Sequence, residues 1–302
     1  MHNFIKIIVL IYITVFSTSL FAAEPSVLQA QQVTVVFEEP LRNAAREAGE
    51  LYSAVKNELE TFFHWPLDFR PTLILIDDRR KFQQTVSTDL IVAYAVPRRN
   101  VMVIDYSRMN TSPFSLRSTL KHELCHLLLH HYINGSNLPK WFDEGVCQWA
   151  SDGIAEIVMD YRRSNLTQAV LSGKYFRMRE LNDRFPGDKD SLQLAYAQSK
   201  SLVDYISREY GREAILTILN NLRSGLSFKE SVRESLGKSF TDLEQDWLDH
   251  LKHTNTWLTY ISIHMYEFLF VLGALIVVIG FVRVIMKKKR YADLEDDDED
   301  FP

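Results

Sequence analysis

The sequence has few of the features that mark nucleic-acid-binding, repetitive or disulfide-rich proteins. Its 302 residues include two cysteines, and neither an internal repeat nor a low-complexity segment dominates them. No basic face with interleaved aromatic residues is present, so nucleic acid is not expected as a partner. The formal net charge of -5 is concentrated in seven acidic residues among the last ten, and the rest of the chain is close to neutral. A hydrophobic content of 46% is ordinary for a chain that buries a core.

The N-terminal segment predicts a cleaved signal peptide over residues 1–23. A short start carrying Lys6 precedes the apolar stretch Ile7 to Phe16, and small residues follow, ending in Ala22 and Ala23. This order is typical of secretory signals. Because Leu20 or Phe21 occupies the position where signal peptidase prefers a small residue, an uncleaved anchor is the alternative.

A second apolar segment predicts a transmembrane helix within residues 256–286. Phe268 to Val282 contains fifteen residues without a charge, which is short of the roughly 20 needed to cross a bilayer. Arg283 can lengthen the span by reaching toward the headgroups. The four cations at 287–290 suit an anionic cytoplasmic surface better than a helix buried in a core. We therefore expect a cytoplasmic tail at 287–302 and an extracytoplasmic domain at 24–255, held at the cell membrane.

The order of predicted elements indicates an α+β fold, with strands in the first half and helices in the second. Strand patterns occur at Val33 to Phe37, at Thr72 to Ile76, and in a hairpin formed by Ile91 to Val96 and Val101 to Asp105. Helical spacing occurs at Leu41 to Phe63, Lys81 to Thr88, Ser118 to His131, Trp141 to Ile157, Gln193 to Tyr210, Glu213 to Asn221, Ser227 to Leu236 and Thr241 to His250.

One pentapeptide carries the pattern of a zinc-binding helix. Residues 122–126 read His-Glu-Leu-Cys-His and match H-E-x-x-H. Residues four apart share a helix face, so His122 and His126 can bind one ion while Glu123 reaches a water molecule beside it. The alternative is a helix with two surface histidines. The run Leu127 to Leu129 disfavours that alternative, because it indicates a buried helix where unpaired histidines are costly.

A zinc site of this kind requires a third protein ligand and an open position. Leu129 and Tyr132 stand where a metzincin would carry Gly and His. His130 and His131 are alternatives as ligands, but His130 lies one turn too far along the helix, and both are otherwise a polar helix end. Glu144 is the better candidate, because seventeen residues after His126 allow the helix to end and a second helix to pack back against it.

The segment Pro139 to Gly145 makes a family resemblance specific. It reads Pro-Lys-Trp-Phe-Asp-Glu-Gly, and with H-E-x-x-H it resembles the gluzincins, in particular the small bacterial "peptidase MA-like" metallohydrolases. The resemblance covers most of Phe69 to Lys252. It implies a zincin-like domain with a small mixed sheet followed by a helical half. It also implies a zinc ion bound by His122, His126 and Glu144, with Glu123 as general base in peptide hydrolysis.

The resemblance assigns roles to further residues. Gln148 stands where such proteins commonly carry an acid that hydrogen-bonds a ligand imidazole, and its neutral amide is expected to orient the histidine without strengthening its basicity. Asp143 is either a substitute for that acid or an ordinary carboxylate at a helix N-terminus. Tyr196 is expected to donate a hydrogen bond to the developing oxyanion, the alternative being a core tyrosine. Val101 to Asp105 is expected either to present an edge to which a peptide adds as a strand, or to be sheet structure alone.

Two further points stay open at this stage. Cys125 and Cys147, beside the predicted site, form either one disulfide or two buried thiols. The sequence predicts a membrane-anchored zinc metallopeptidase acting on peptides or proteins. The alternatives are a zincin-like binding module without turnover and a zinc hydrolase that acts on a different carbonyl substrate.

Overall fold

The computed structural model describes residues 25–86, 89–109, 111, 114–135, 137–151 and 164–297. The predicted signal peptide, the end of the predicted helix Trp141 to Ile157 and the last five residues lie outside this described part. The chain divides between Leu248 and Asp249 into two compact units.

The first unit is built on one five-stranded mixed sheet. Its strands are β1 (Ser26–Gln29), β2 (Thr34–Phe37), β3 (Thr72–Ile76), β4 (Ala93–Val96) and β5 (Val101–Asp105), in the spatial order β1-β2-β3-β5-β4. The pairs β2/β3 and β3/β5 are parallel, whereas β1/β2 and β4/β5 are antiparallel. β1 was not predicted from the sequence.

The sheet order corrects one prediction about β5. The hairpin of β4 and β5 forms as expected, but β5 pairs with β3 on its other side and all five of its residues are buried. The edge strand of the hairpin is therefore β4. Of the two alternatives for Val101 to Asp105, the exposed edge is wrong and sheet structure alone is what forms. The pairing with β3 is a long-range contact that the local pattern of the hairpin does not specify.

Helices and the segments that connect them form the rest of the described chain. They are α1 (Arg42–Phe63), α2 (Arg79–Gln83), α3 (Leu116–Tyr132), α4 (Lys140–Ala150), α5 (Ser164–Leu171), α6 (Lys189–Tyr210), α7 (Arg212–Arg223), α8 (Phe228–Leu236) and α9 (Phe240–Asp297). In α1 the buried residues recur at helical spacing, which explains how it covers the sheet. The predicted α+β fold, a small mixed sheet followed by a helical half, is confirmed.

The helices α3 and α4 are buried in the centre of the first unit. Ser115 caps α3 by accepting a hydrogen bond from the Ser118 backbone amide. Gly145 lets α4 approach α6 closely, because a Cβ atom at this position would lie 2.5 Å from the Ser199 carbonyl oxygen. Trp141 and Phe142 of α4 pack against Phe228, with ring centroids 5.3 and 5.1 Å away. These contacts fix α4, the helix that carries Glu144.

The second unit, residues 249–302, contains the C-terminal part of α9. Within the described chain, the segment His264–Lys287 is the one helical stretch long and apolar enough to cross a membrane. It is 24 residues long and its side chains are not buried. This is the apolar C-terminal helix that the sequence predicts.

Candidate metal centre and cleft

Two helices bring the predicted metal ligands together. His122 and His126 lie one turn apart on α3, with their Nε2 atoms 3.1 Å from each other. Glu144, on α4, places Oε2 3.7 Å from His122 Nε2 and 3.5 Å from His126 Nε2. All three side chains are at most 6% exposed. The three ligand atoms therefore form one small buried triangle.

The geometry of this triangle fits a zinc ion. Tetrahedral zinc with bonds of about 2.0–2.1 Å separates its ligand atoms by roughly 3.3 Å, which lies within the range of the distances found here. Within the described residues, the buried Glu144 Oε2 accepts no hydrogen bond of ordinary length. A buried carboxylate oxygen is costly unless a cation or a donor compensates it. Two imidazole nitrogens and one carboxylate oxygen also form a ligand set that leaves an open position on catalytic zinc.

Asp143 holds one of the two histidines in place. Its Oδ1 lies 2.8 Å from His126 Nδ1, and its Oδ2 lies 3.0 Å from His130 Nε2. With Nδ1 held by a carboxylate, His126 presents Nε2 to the triangle. Of the two roles left open by the sequence, Asp143 thus takes that of the carboxylate that orients a histidine. His130 pairs with this carboxylate, and His131 lies 3.1 Å from Asp68 on the surface.

The protonation equilibria of the site reflect burial and crowded carboxylates. Burial lowers the pKa of His122, and Glu144 offsets this only in part. Burial also acts on His126, but Asp143 and Glu144 outweigh it and raise the pKa of His126 well above its usual value. Burial acts to raise the pKa of Glu144, but Lys140 and the histidines hold it well below the usual range. The charged carboxylates of Asp143 and Glu144 therefore favour positive charge on His126, whereas burial favours the neutral form of His122.

A disulfide joins the two helices that carry the ligands. Cys125 on α3 and Cys147 on α4 are bonded, with their Cα atoms 5.5 Å apart. The structure thus has the disulfide rather than two separate thiols. The bridge is adjacent to His126 in sequence and three residues from Glu144, so it ties the two halves of the triangle to each other.

Gln148 does not take the place expected of it. Its side-chain amide donates to the Tyr196 carbonyl oxygen at 3.4 Å, and within the described residues it makes no hydrogen bond to an imidazole. The hydroxyl of Ser151, the C-terminal cap of α4, instead lies 3.4 Å from His122 Nδ1. The predicted contact between Gln148 and a ligand histidine is wrong, because the side chain turns toward α6.

Tyr196 lies beside the triangle. Its hydroxyl donates to Glu144 Oε1 at 3.3 Å, and the same oxygen lies 3.0 Å from Lys140 Nζ. The ring is 3% exposed and meets the Phe185 ring edge-on at 4.9 Å between centroids. The phenol is therefore packed by apolar neighbours on one side and directed at a ligand carboxylate on the other.

Glu123 is fully buried on α3. It lies near enough to Tyr94 that its charge, after burial, contributes to raising the pKa of that phenol. Within the described residues, neither Glu123 nor His122 lines the cavity described next. The carboxylate is thus buried on α3 and within electrostatic reach of Tyr94, a residue of the cleft wall.

A cleft of about 960 Å³ opens in front of the triangle. One wall is the edge strand β4 with the turn that follows it, and another is the segment Asp183 to Gly187. His126, Glu144 and Tyr196 line it too. The sequence did not predict the part played by β4 or by residues 183–187. Asp143 was singled out from the sequence, and Lys140 could have been found too, because it lies within the same segment as Glu144.

Comparisons with known proteins find one matching family profile and similar solved structures. A family profile described as Peptidase MA superfamily matches residues 80–253. Comparison with curated proteins gives no match. Two similar solved structures are aminopeptidase A from Legionella pneumophila in complex with aspartic acid and yeast LTA4 hydrolase in complex with bestatin.

Both structures are 13% identical to this chain, with TM-scores of 0.44. The likeness covers 74% of this chain and 28% of the Legionella protein, and 75% of this chain and 38% of the yeast protein. This chain therefore spans well under half the length of either relative. The family profile, in contrast, covers more than half of this chain and includes all of the residues that form the triangle. The chain belongs to the Peptidase MA superfamily.

Proposed function

We propose that this protein is a membrane-anchored zinc metallopeptidase of the small bacterial peptidase MA-like type. The observation that carries the proposal is the buried triangle of His122, His126 and Glu144 at the base of a peptide-sized cleft. The presence of both H-E-x-x-H and Pro-x-Trp-x-x-Glu-Gly supports the subtype. The proposed order along the chain is a signal peptide at 1–23, the catalytic domain at 24–255, a transmembrane segment at 256–286 and a cytoplasmic tail at 287–302.

When bound, zinc supplies a Lewis acid that polarises the scissile carbonyl and makes water a better nucleophile at neutral pH. The chain's own residues do the rest. Asp143 fixes the ring of His126 through Nδ1, which keeps Nε2 directed at the ion. The Glu123 carboxylate takes a proton from the attacking water and passes it to the leaving amine. The Tyr196 hydroxyl donates to the carbonyl oxygen as negative charge develops there.

The edge strand β4 suits an extended peptide as the substrate. Within the described residues, β4 pairs with β5 on one side only, and its residues Tyr94, Ala95 and Val96 line the cleft. A peptide that adds to this edge satisfies its own backbone groups and those of β4 at once. This recognition of the backbone favours peptides over other carbonyl compounds, and it gives β4 the role that the sequence suggested for β5.

The test is an unbiased digestion of a peptide library by the full-length chain in nonionic detergent, with products identified by mass spectrometry. We expect cleavage of peptide bonds that stops after chelation and returns when zinc is added back. Glu123→Gln is the matched control, because it keeps the ligands while removing the base. It should retain zinc and lose about 10²-fold to 10⁴-fold in turnover.

Three outcomes would contradict the proposal. Undiminished cleavage by Glu123→Gln would remove the mechanism. A zinc-loaded protein that binds peptides and cleaves none would favour a binding module, whereas cleavage of esters or other carbonyl substrates alone would favour a hydrolase of a different class.

A further inference from the structure

The cleft carries cations at its rim although the chain as a whole is acidic, with a formal charge of -5. Arg98, Lys140 and Arg184 line it. The acidic residues that line it are Asp143, Glu144 and Asp183. The net charge at the rim of the cleft therefore depends on which of these acids already pair with other groups.

Two of the three acids are engaged at the base of the cleft. Asp143 is held between His126 and His130 at 2.8 and 3.0 Å. Glu144 Oε1 accepts hydrogen bonds from Lys140 and Tyr196. Glu144 Oε2 faces the two candidate ligand histidines. Only Asp183, which is exposed, is left to balance the cations at the rim.

Arg98 and Arg184 are not engaged in this way. Both are exposed, and within the described part of the chain neither side chain makes a hydrogen bond, an ion pair or a ring contact. Lys140, in contrast, pairs with Glu144 and lies 5.3 Å from the centroid of the Phe185 ring. Two guanidinium groups thus line the cleft without a partner in the described chain.

The two arginines come from different elements that both border the substrate path. Arg98 lies in the turn directly after β4, so a peptide that extends along this edge reaches it at the end of the strand. Arg184 precedes Phe185, whose ring packs on Tyr196. A group bound at the arginines is therefore close in the structure to the strand edge and to the residue beside Glu144.

We propose that this rim binds a carboxylate of the substrate peptide, either an acidic side chain or the free chain end, near the cleaved bond. The inference rests on the proposed function and names the substrate class of the same site. Guanidinium groups bind carboxylates through paired, charge-assisted hydrogen bonds. Unpaired cations in a cleft also concentrate the electrostatic potential and attract acidic ligands.

The experiment measures binding separately from turnover. Full-length Glu123→Gln protein in nonionic detergent is titrated into peptides of one length, each with a neutral fluorophore on the N-terminus, and anisotropy is recorded. One peptide carries a central Glu and a C-terminal amide, one a central Gln and a free carboxylate, one a central Gln and an amide, and one a central Lys and an amide. We expect the first or the second to bind about tenfold more tightly than the third, and the fourth to bind most weakly.

Charge reversal then tests the assignment to the two arginines. In the same background, Arg98→Glu with Arg184→Glu should abolish the preference for a carboxylate. Arg99→Glu is the matched control, since Arg99 lies in the same turn, is exposed and does not line the cleft. This control should keep the preference. The preference should also weaken as salt is added, because the arginines are exposed.

The outcomes separate this inference from the proposed function. Equal binding of all four peptides, or the same loss in the Arg99→Glu control, would overturn the inference even if the wild-type chain cleaves every peptide. A carboxylate preference in binding, together with a zinc-loaded wild-type chain that cleaves no peptide, would support the inference and contradict the peptidase.

Discussion

At the residue scale, Tyr196 contacts a proposed metal ligand, and a substitution can distinguish a catalytic hydroxyl from a structural one. Its phenol lies 3.3 Å from Glu144 Oε1 while its ring packs on Phe185. If the hydroxyl donates to the developing oxyanion, Tyr196→Phe should keep zinc and thermal stability and lose about 10²-fold to 10³-fold in kcat. Peptide hydrolysis per bound zinc, measured together with the melting temperature, checks this.

A control for this substitution lies on the same helix. Tyr205→Phe removes a hydroxyl from α6 more than two turns away and should leave kcat unchanged. Should Tyr196→Phe instead lose zinc, with turnover per bound zinc unaltered, the hydroxyl would serve to hold Glu144 rather than to stabilise the oxyanion.

The sequence predicts the centre of this site better than its surroundings. His122 and His126 follow from the spacing of one helix, and Glu144 lies in a short segment whose pattern is specific. The role of Asp143 stayed open and that of Gln148 was wrong, because the direction of a side chain depends on how α4 packs against α3 and α6. That packing cannot be predicted from a local sequence pattern.

At the scale of elements, Gly145 sets how closely α4 and α6 approach. A Cβ atom there would lie 2.5 Å from the Ser199 carbonyl oxygen and 2.7 Å from Val203 Cγ2. Gly145→Ala should therefore lower the free energy of unfolding by about 1–3 kcal/mol, although alanine is the better helix former. The melting temperature measures this. Gly187→Ala, where a Cβ atom meets nothing within 4 Å, is the control, and equal melting temperatures for the two variants would contradict the packing argument.

The disulfide is a second feature that fixes the position of α4, here relative to α3. Cys125 and Cys147 are 22 residues apart in sequence and link α3 to α4. Replacing both with Ala should cost about 3 kcal/mol through the freed loop and should weaken zinc binding, because the ligands lose their cross-link. Chelator competition measures the affinity for zinc. A reductant should shift the wild-type chain in the same direction, and identical affinity in all three states would show that the bridge does not support the site.

The sheet shows why a strand is easier to predict from the sequence than the strands with which it pairs. Alternating and apolar runs give β2, β3 and the β4/β5 hairpin, since strand formation depends on local patterns. Which strand ends at the edge depends on the parallel pairing of β3 with β5, whose first residues Thr72 and Val101 are far apart in sequence. For this reason the edge was assigned to the wrong strand of a correctly predicted hairpin.

At the scale of the whole molecule, the apolar helix His264–Lys287 and the cations that follow it predict a membrane topology. The cationic end should stay in the cytoplasm, which places the proposed catalytic domain on the other side of the membrane. Protease added to intact cells should digest the domain and spare an epitope at Pro302, while lysed cells should lose both. Protection of the domain with loss of the epitope would reverse the orientation.

The measurement that tests the central claim most directly is zinc content per chain, by elemental mass spectrometry of the full-length protein. The wild-type chain and Glu123→Gln should each bind about one zinc, since Glu123 is proposed to be a base and not a ligand. His122→Ala, His126→Ala and Glu144→Ala should each fall far below one. Full zinc in Glu144→Ala would contradict the account, because the ion would then be held without the second helix that completes the triangle.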